Sequence, residues 1–323
     1  MVKPSILVTR KWPKDVEICL LEHFNATLNR DDTPLSQDVL SDAFRSYDAV
    51  FPTVTDAIDR EVMSGGNLRT KLIGNFGVGF NHIDVDLAKQ HEIVVTNTPD
   101  VLTDATADLA MALILSIARK VGEGERLVRC GGWTGWRPTQ MLGRQITGAT
   151  LGIIGFGRIG QAVARRAHYG FGMPILVQSR SPIDQAVLNE FKAVQLSSLE
   201  ELLGRSDFVS LHCPSTAENH HMIDLERLRL MKPEAFLINT ARGTLVKERD
   251  LVVALESGLI AGAGLDVFEA EPRIPAALLG RSDAVLLPHL GSATEETRTA
   301  MGMRVLSNAI AFFAGKPPPD RVA

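Results

Sequence analysis

The chain has 323 residues, of which 45% are hydrophobic and 22% charged, with a formal net charge of −4. That length suffices for two domains and a large core, while the slight acidity offers no electrostatic footprint for nucleic acid. The three cysteines, Cys19, Cys130 and Cys213, are odd in number, far apart and without metal-ligand spacing, which argues for a reducing cytoplasm and against a disulfide framework or a metal centre.

The N-terminal apolar run is too short for a signal peptide, and the longest apolar stretch, residues 109–118, is too short to span a bilayer. A strand at 6–8, a helix over 15–23, a polar helix around 37–45, strands at 49–51, 71–73 and 93–96, and a helix at 86–91 form an alternating series. This predicts a small α/β domain. Thr98-Pro99-Asp100 breaks the pattern as a hinge, because proline biases its predecessor away from helix. The long helix that follows, 104–120, carries a Leu109, Leu113, Ile117 stripe. It either packs against a second subunit or is buried within its own chain.

A fingerprint comes next. Leu151-Gly-Ile-Ile is an apolar strand that turns through Gly155-Phe-Gly157-Arg158-Ile159-Gly160 into a helix with Ile159, Val163 and Ala167 on one face. In this G-x-G-x-x-G setting Gly155 permits the tight turn, Gly157 the approach of a pyrophosphate, and Gly160 close helix–strand packing. The N–H groups and positive dipole end of the helix start, at Arg158 and Ile159, are expected to face the diphosphate. About 20 residues on, where an NAD site carries a carboxylate, the next strand ends in Ser179 and Arg180. A guanidinium there suits a 2′-phosphate, so NADP(H) is expected over NAD(H); the alternative is a solvated surface charge. Further strands at 175–177, 208–211, 235–238, 261–265 and 284–287 complete a doubly wound parallel sheet of six strands. A helix over 292–313 closes the chain and crosses back to the first domain, ahead of an extended tail. The domains are expected at 1–98 with 290–323, and at 99–289.

Polar residues gather at the carboxyl ends of late strands, where such sheets bind ligands. They are Thr240-Ala241-Arg242-Gly243, the run Asp266-Val-Phe-Glu269-Ala-Glu271, and His289-Leu-Gly-Ser292. In the first domain, Gly74-Asn-Phe-Gly77-Val78-Gly79 ends a strand and is either an anion nest or an ordinary glycine turn. His220-His221 lacks a third ligand and reads as a polar helix edge. No nucleophile elbow or Walker sequence occurs.

Over essentially its whole length the chain resembles the D-2-hydroxyacid dehydrogenase family. Within it the chain looks closest to the glyoxylate/hydroxypyruvate reductases, on Gly132-Trp-Thr-Gly-Trp136-Arg-Pro138 and the Ser179-Arg180 tip. The resemblance implies two Rossmann-like domains, a doubly wound cofactor domain and a smaller flavodoxin-like substrate domain. It implies a homodimer that uses NADPH to reduce glyoxylate and hydroxypyruvate to glycolate and D-glycerate, with closure of the two domains expelling water. Arg242 would clamp the 2-oxo acid, His289 would protonate its carbonyl oxygen, and Glu271, chosen over Glu269 on resemblance, would hold the imidazole. Asp266 with the Thr240 and Ala241 backbone would meet the nicotinamide carboxamide. Thr106, Cys213 and Thr216 would be further cofactor contacts, Cys213 being equally a small buried hydrophobe. The amides of Val78 and Gly79 would receive the substrate carboxylate in a cleft between domains, with Ser292 nearby. Trp136 would reach the neighbouring subunit's cleft or serve dimer packing alone. Rival readings are a broader 2-oxo acid reductase, a 3-phosphoglycerate dehydrogenase, disfavoured by the short stretch after the closing helix, and a dinucleotide-sensing binding protein like the corepressors of this fold.

Overall fold

A computed structural model describes residues 2–64 and 66–323. The chain divides into two compact units, one running up to Leu102 and resuming over Ala293–Ala323, the other spanning Thr103–Ser292.

The first unit is built on five short parallel strands, β1 (Ser5–Val8), β2 (Asn25–Leu28), β3 (Ala49–Phe51), β4 (Leu72–Gly74) and β5 (Val94–Thr96), in the order β2-β1-β3-β4-β5. This is the flavodoxin-like order. β3 and β4 are buried along their whole length, as strands covered on both faces must be. The edge strand β2 alternates between exposed and half-buried residues, and its Asn25 and Thr27 disguise it as a loop in the sequence. The helix Glu295–Phe313 belongs to this unit. It packs so closely on the helix Lys14–His23 that a Cβ at Gly302 would lie 2.6 Å from Val16 Cγ1. The chain end covers the free edge of β5, with Val322 N–H donating to Val95 O at 2.7 Å and the Arg304 guanidinium held on Asp320 at 2.7 Å. An unpaired strand edge is thereby removed.

The second unit carries seven parallel strands, β6 (Leu151–Ile154), β7 (Ile175–Gln178), β8 (Val194–Gln195), β9 (Phe208–Leu211), β10 (Phe236–Asn239), β11 (Gly262–Leu265) and β12 (Ala284–Leu286). Their order, β12-β11-β10-β9-β6-β7-β8, is doubly wound and reverses direction between β6 and β9, the point at which such sheets open a ligand crevice. The two-residue strand β8 is an addition to the six expected.

The helix Thr103–Ala118 settles the question of its apolar stripe. Leu113 and Ile117 are 1% and 4% exposed within the unit, and glycines on the sheet make room for them. A Cβ at Gly264 would lie 3.1 Å from Leu113 Cβ, and one at Gly262 3.2 Å from Ile117 Cδ1. Leu113 and Ile117 therefore serve core packing, the second of the two readings, while Leu109 is half-buried. The next helix, Val121–Arg129, has no buried residue. Its Gly122 and Gly124 lower helix propensity and hide it from sequence patterns. Among the described residues no helix is long and apolar enough to cross a membrane, and no group of His, Cys, Asp and Glu could hold a metal ion.

Because Leu113 packs within its own unit, Leu113→Ala should cost about 2–5 kcal/mol in a denaturant titration without altering oligomeric state in sedimentation. A changed oligomer with unchanged unfolding would contradict this packing.

Candidate active site

The crevice begins at the fingerprint turn. Gly155 has φ +89°, and a Cβ there would fall 2.5 Å from Cys213 N. A Cβ at Gly160 would lie 2.3 Å from Gly155 O, whereas one at Gly157 would meet nothing within 4 Å. The first and third glycines thus serve packing, and the middle one leaves open space. Gly157 is also the N-cap of the helix Arg158–Phe171, which has no side-chain cap and no acidic residue in its first turn. Its positive dipole end therefore suits an anion.

Around this turn the structure places the other candidate cofactor residues unevenly. Thr240, at the end of β10, is 8% exposed, and its Oγ1 is buried with no hydrogen-bond partner. Such an orphan fits a polar group of a bound ligand. Ser179 is half-buried, while Arg180 has a side chain 89% exposed, with Glu218 Oε2 4.0 Å away. Thr216 is exposed on a turn held by Asn219 Oδ1, which accepts from Thr216 N at 2.7 Å. Cys213 is half-buried; burial pushes its thiol up to about 11, and its backbone lines the Gly155 turn. A nicotinamide dinucleotide fits this set: the helix start would hold its diphosphate, and Ser179 and Arg180, at the end of the next strand, would be the candidates to meet its adenosine ribose.

The polar groups at the ends of β10, β11 and β12 come together. His289 Nδ1 and Glu271 Oε2 are 2.8 Å apart, and Phe268 N–H donates to the other oxygen, Oε1, at 3.0 Å. Burial works against the Glu271 charge, but the bond to His289, its charge, the Phe268 amide and nearby Arg242 outweigh it. The carboxyl is held below its ordinary range. Arg242 is half-buried, and desolvation, opposed by Glu271, lowers its pKa; its guanidinium stays charged. Asn239, missed in the sequence, braces this turn: Nδ2 donates to Arg242 O at 2.8 Å and Oδ1 accepts from Ala241 N at 3.0 Å.

Glu269 is engaged elsewhere. His221 Nε2 is bonded to Glu269 Oε1, Oε2 accepts from Glu248 N at 3.2 Å, and Glu269 N donates to Glu248 Oε1 at 2.8 Å. His221 sits in a turn and not on a helix edge, which corrects that expectation.

His289 itself has φ +55°, a left-handed conformation that histidine tolerates better than most residues. The twist turns three successive amides onto Asp266. His289 N donates to Asp266 O at 2.9 Å, and Leu290 N and Gly291 N donate to the carboxylate at 2.6 and 2.8 Å. Thr106 Oγ1 donates to Gly291 O at 3.0 Å. Asp266 and Thr106, expected as cofactor contacts from the sequence, both bond to the histidine loop. Asp266 is fully buried, and burial raises its pKa against the pull of these amides and of His289. Ser292 follows, half-buried.

In the first unit, Val78 and Gly79 lie beyond β4, half-buried. Trp136, on the stretch after the helix Val121–Arg129, is 81% exposed.

A glycine-rich turn at the switch point of a doubly wound sheet, with a histidine–carboxylate pair and an arginine at the strand ends, defines an NAD(P)-binding oxidoreductase. Residues 111–291 match the family model described as D-isomer specific 2-hydroxyacid dehydrogenase, NAD binding domain. The chain is 46% identical to a glyoxylate reductase of Thermococcus onnurineus, over 99% of this chain and 96% of that protein. A Thermus thermophilus protein of known structure superposes with a TM-score of 0.91 at 42% identity, covering 99% and 100% of the two chains. An NADPH-dependent glyoxylate/hydroxypyruvate reductase of Sinorhizobium meliloti, solved with NADP and malonate, gives 0.88 at 34%, covering 99% and 97%. The chain belongs to the D-isomer specific 2-hydroxyacid dehydrogenase family, and its cofactor is a nicotinamide dinucleotide.

The glycine geometry separates packing from binding. Gly160→Ala should lose about 1–3 kcal/mol of stability through the Gly155 carbonyl clash as well as cofactor affinity. Gly157→Ala should lose cofactor affinity in a fluorescence titration at a stability cost below about 1 kcal/mol. Undiminished affinity in Gly157→Ala would mean that the cofactor does not approach that atom.

Proposed function

We propose that the protein reduces glyoxylate and hydroxypyruvate to glycolate and D-glycerate with NADPH in preference to NADH. The observation that carries this reading is the His289–Glu271 pair beside Arg242. Nδ1 is committed to the carboxylate, so Nε2 is the nitrogen left to meet a substrate oxygen. Bound NADPH supplies the hydride to the carbonyl carbon. Arg242 binds the carboxylate and polarises the carbonyl, a task suited to a planar fork of donors, and in the first unit the amides of Val78 and Gly79 are offered to an anion. His289 gives its Nε2 proton to the carbonyl oxygen as that oxygen becomes an alcohol. Glu271 fixes the orientation of the ring through Nδ1.

Preference for NADPH rests on Ser179 and Arg180 standing where a ribose-binding carboxylate would repel the 2′-phosphate. Each bond from Arg180 to that phosphate is worth about 1.5–3 kcal/mol. We assign the homodimer contact to the segment whose Val128, Trp133, Trp136 and Leu142 are 60%, 53%, 81% and 68% exposed, since apolar exposure of that kind marks association surfaces. Trp136 is then the residue offered to the neighbouring subunit's cleft. Val128→Asp combined with Leu142→Asp should sediment as a monomer, and an unchanged dimer would move the interface elsewhere.

The kinetic test is steady-state reduction of both substrates with NADPH and NADH, on wild type and Arg180→Asp. NADPH preference should be strong in wild type and collapse in the variant; robust turnover with NADH preferred would overturn the cofactor assignment alone. His289→Ala should lower kcat by about 10²–10⁴-fold with cofactor binding nearly intact. Lost binding, or no turnover of any 2-oxo acid in the wild type, would sink the reading.

Glu271 holds the imidazole through Nδ1, so removing its charge should lower kcat. Glu271→Gln should do this by about tenfold, the loss of one charge-assisted hydrogen bond, and Glu269→Gln by far less. Equal losses would mean that the two carboxylates share the role.

A further inference from the structure

We infer that Asn75, locked in one orientation by His82, is the positioning residue that aims the Val78 and Gly79 amides at an anion; the inference rests on the proposed function above and deepens it. Asn75, just beyond β4, is fully buried. Its Nδ2 lies 3.0 Å from Gly77 O and 3.0 Å from Gly79 O. Carbonyl oxygens only accept, so the atom facing both must be the amide nitrogen, and each of its hydrogens is used. Oδ1 therefore faces His82 Nε2, at 3.0 Å, and His82 must carry a proton on that nitrogen. The intervening carbonyl, Val78 O, accepts from Asn97 Nδ2 at 2.9 Å. Thr98 N adds a second bond to Gly77 O at 3.1 Å.

The consequence follows from peptide planarity. The carbonyl of one residue and the N–H of the next belong to a single rigid unit and point in opposite directions. Holding Gly77 O on Asn75 turns Val78 N–H away from Asn75, and holding Val78 O on Asn97 turns Gly79 N–H away from Asn97. The other donors of the run are satisfied internally: Asn75 N on Thr96 O, Phe76 N on Pro52 O and Gly77 N on Asn75 O, at 3.0, 2.9 and 3.0 Å. Among the described residues, Val78 N and Gly79 N have no hydrogen-bond partner. Two adjacent free amides attract an anion and carry no titratable group of their own. Asn75 touches no substrate in this arrangement and acts through the loop.

Neutral variants avoid adding charge near the anion. In Asn75→Leu the KM for glyoxylate should rise about tenfold, the loss of one charge-assisted hydrogen bond, with kcat and the KM for NADPH within about twofold of wild type. His82→Leu frees the Asn75 amide to rotate and should raise the same KM less. His82→Gln, which can still donate, should restore it. If Asn75→Leu fails to fold, the half-buried Asn97→Leu takes its place with the same split between KM and kcat. Unchanged KM values in an enzyme that reduces glyoxylate would overturn the inference and leave the proposed function standing. If the wild type reduces no 2-oxo acid, the Val78 and Gly79 amide resonances of the NADPH-bound protein are followed during titration with oxalate. Shifts present in wild type and lost in Asn75→Leu uphold the positioning role without the reductase; no shifts in wild type overturn it.

Discussion

One buried carboxylate holds the histidine loop. Asp266 gathers three successive amides, His289, Leu290 and Gly291, and only a left-handed residue at the start of that run brings them to one side. The conformational cost of a non-glycine residue there, of order 1 kcal/mol, is met by bonds that also compensate the burial of the Asp266 charge. The segment after β11 then supplies Glu271 as well. One strand end thus fixes the backbone of His289 through Asp266 and its ring through Glu271, and the imidazole is defined at both ends before any ligand arrives.

Both units orient a loop by the same device, a buried asparagine at a strand's carboxyl end. Asn239 ties down the Arg242 carbonyl and the Ala241 amide, and Asn75 ties down the Gly77 and Gly79 carbonyls. An amide side chain suits this work because it offers a donor and an acceptor in one rigid plane. Buried where water cannot substitute, it makes each bond costly to break.

Most of the second unit is legible along the chain because its parallel strands are continuous apolar runs punctuated by glycine. The proximity of His289 and Glu271 is anticipated by the family resemblance and not by any local pattern. What escapes has no local signature. Asn25–Leu28 pairs at an edge with half its residues polar, Val194–Gln195 is two residues long, and Val121–Arg129 buries nothing. The choice between Glu269 and Glu271 depends on His221, distant in sequence, which occupies the first and leaves the second for His289. Asn75 and Asn239 read as turn residues, and their value lies in which carbonyls the loop returns to them. The Leu113 and Ile117 stripe is apolar whichever surface covers it, and the glycines that make room for it sit some 150 residues later on β11.

One thiol stands apart from the other two. Cys19 and Cys213 are both partly covered, Cys213 beside the fingerprint turn with its thiol pKa raised by burial, while Cys130 lies exposed at the end of the helix Val121–Arg129. In the single chain Cys130 is the thiol most open to a labelling reagent. The chain therefore carries a native attachment point for a spectroscopic probe close to Trp133 and Trp136, where the approach of a second molecule can be followed without engineering the dinucleotide pocket.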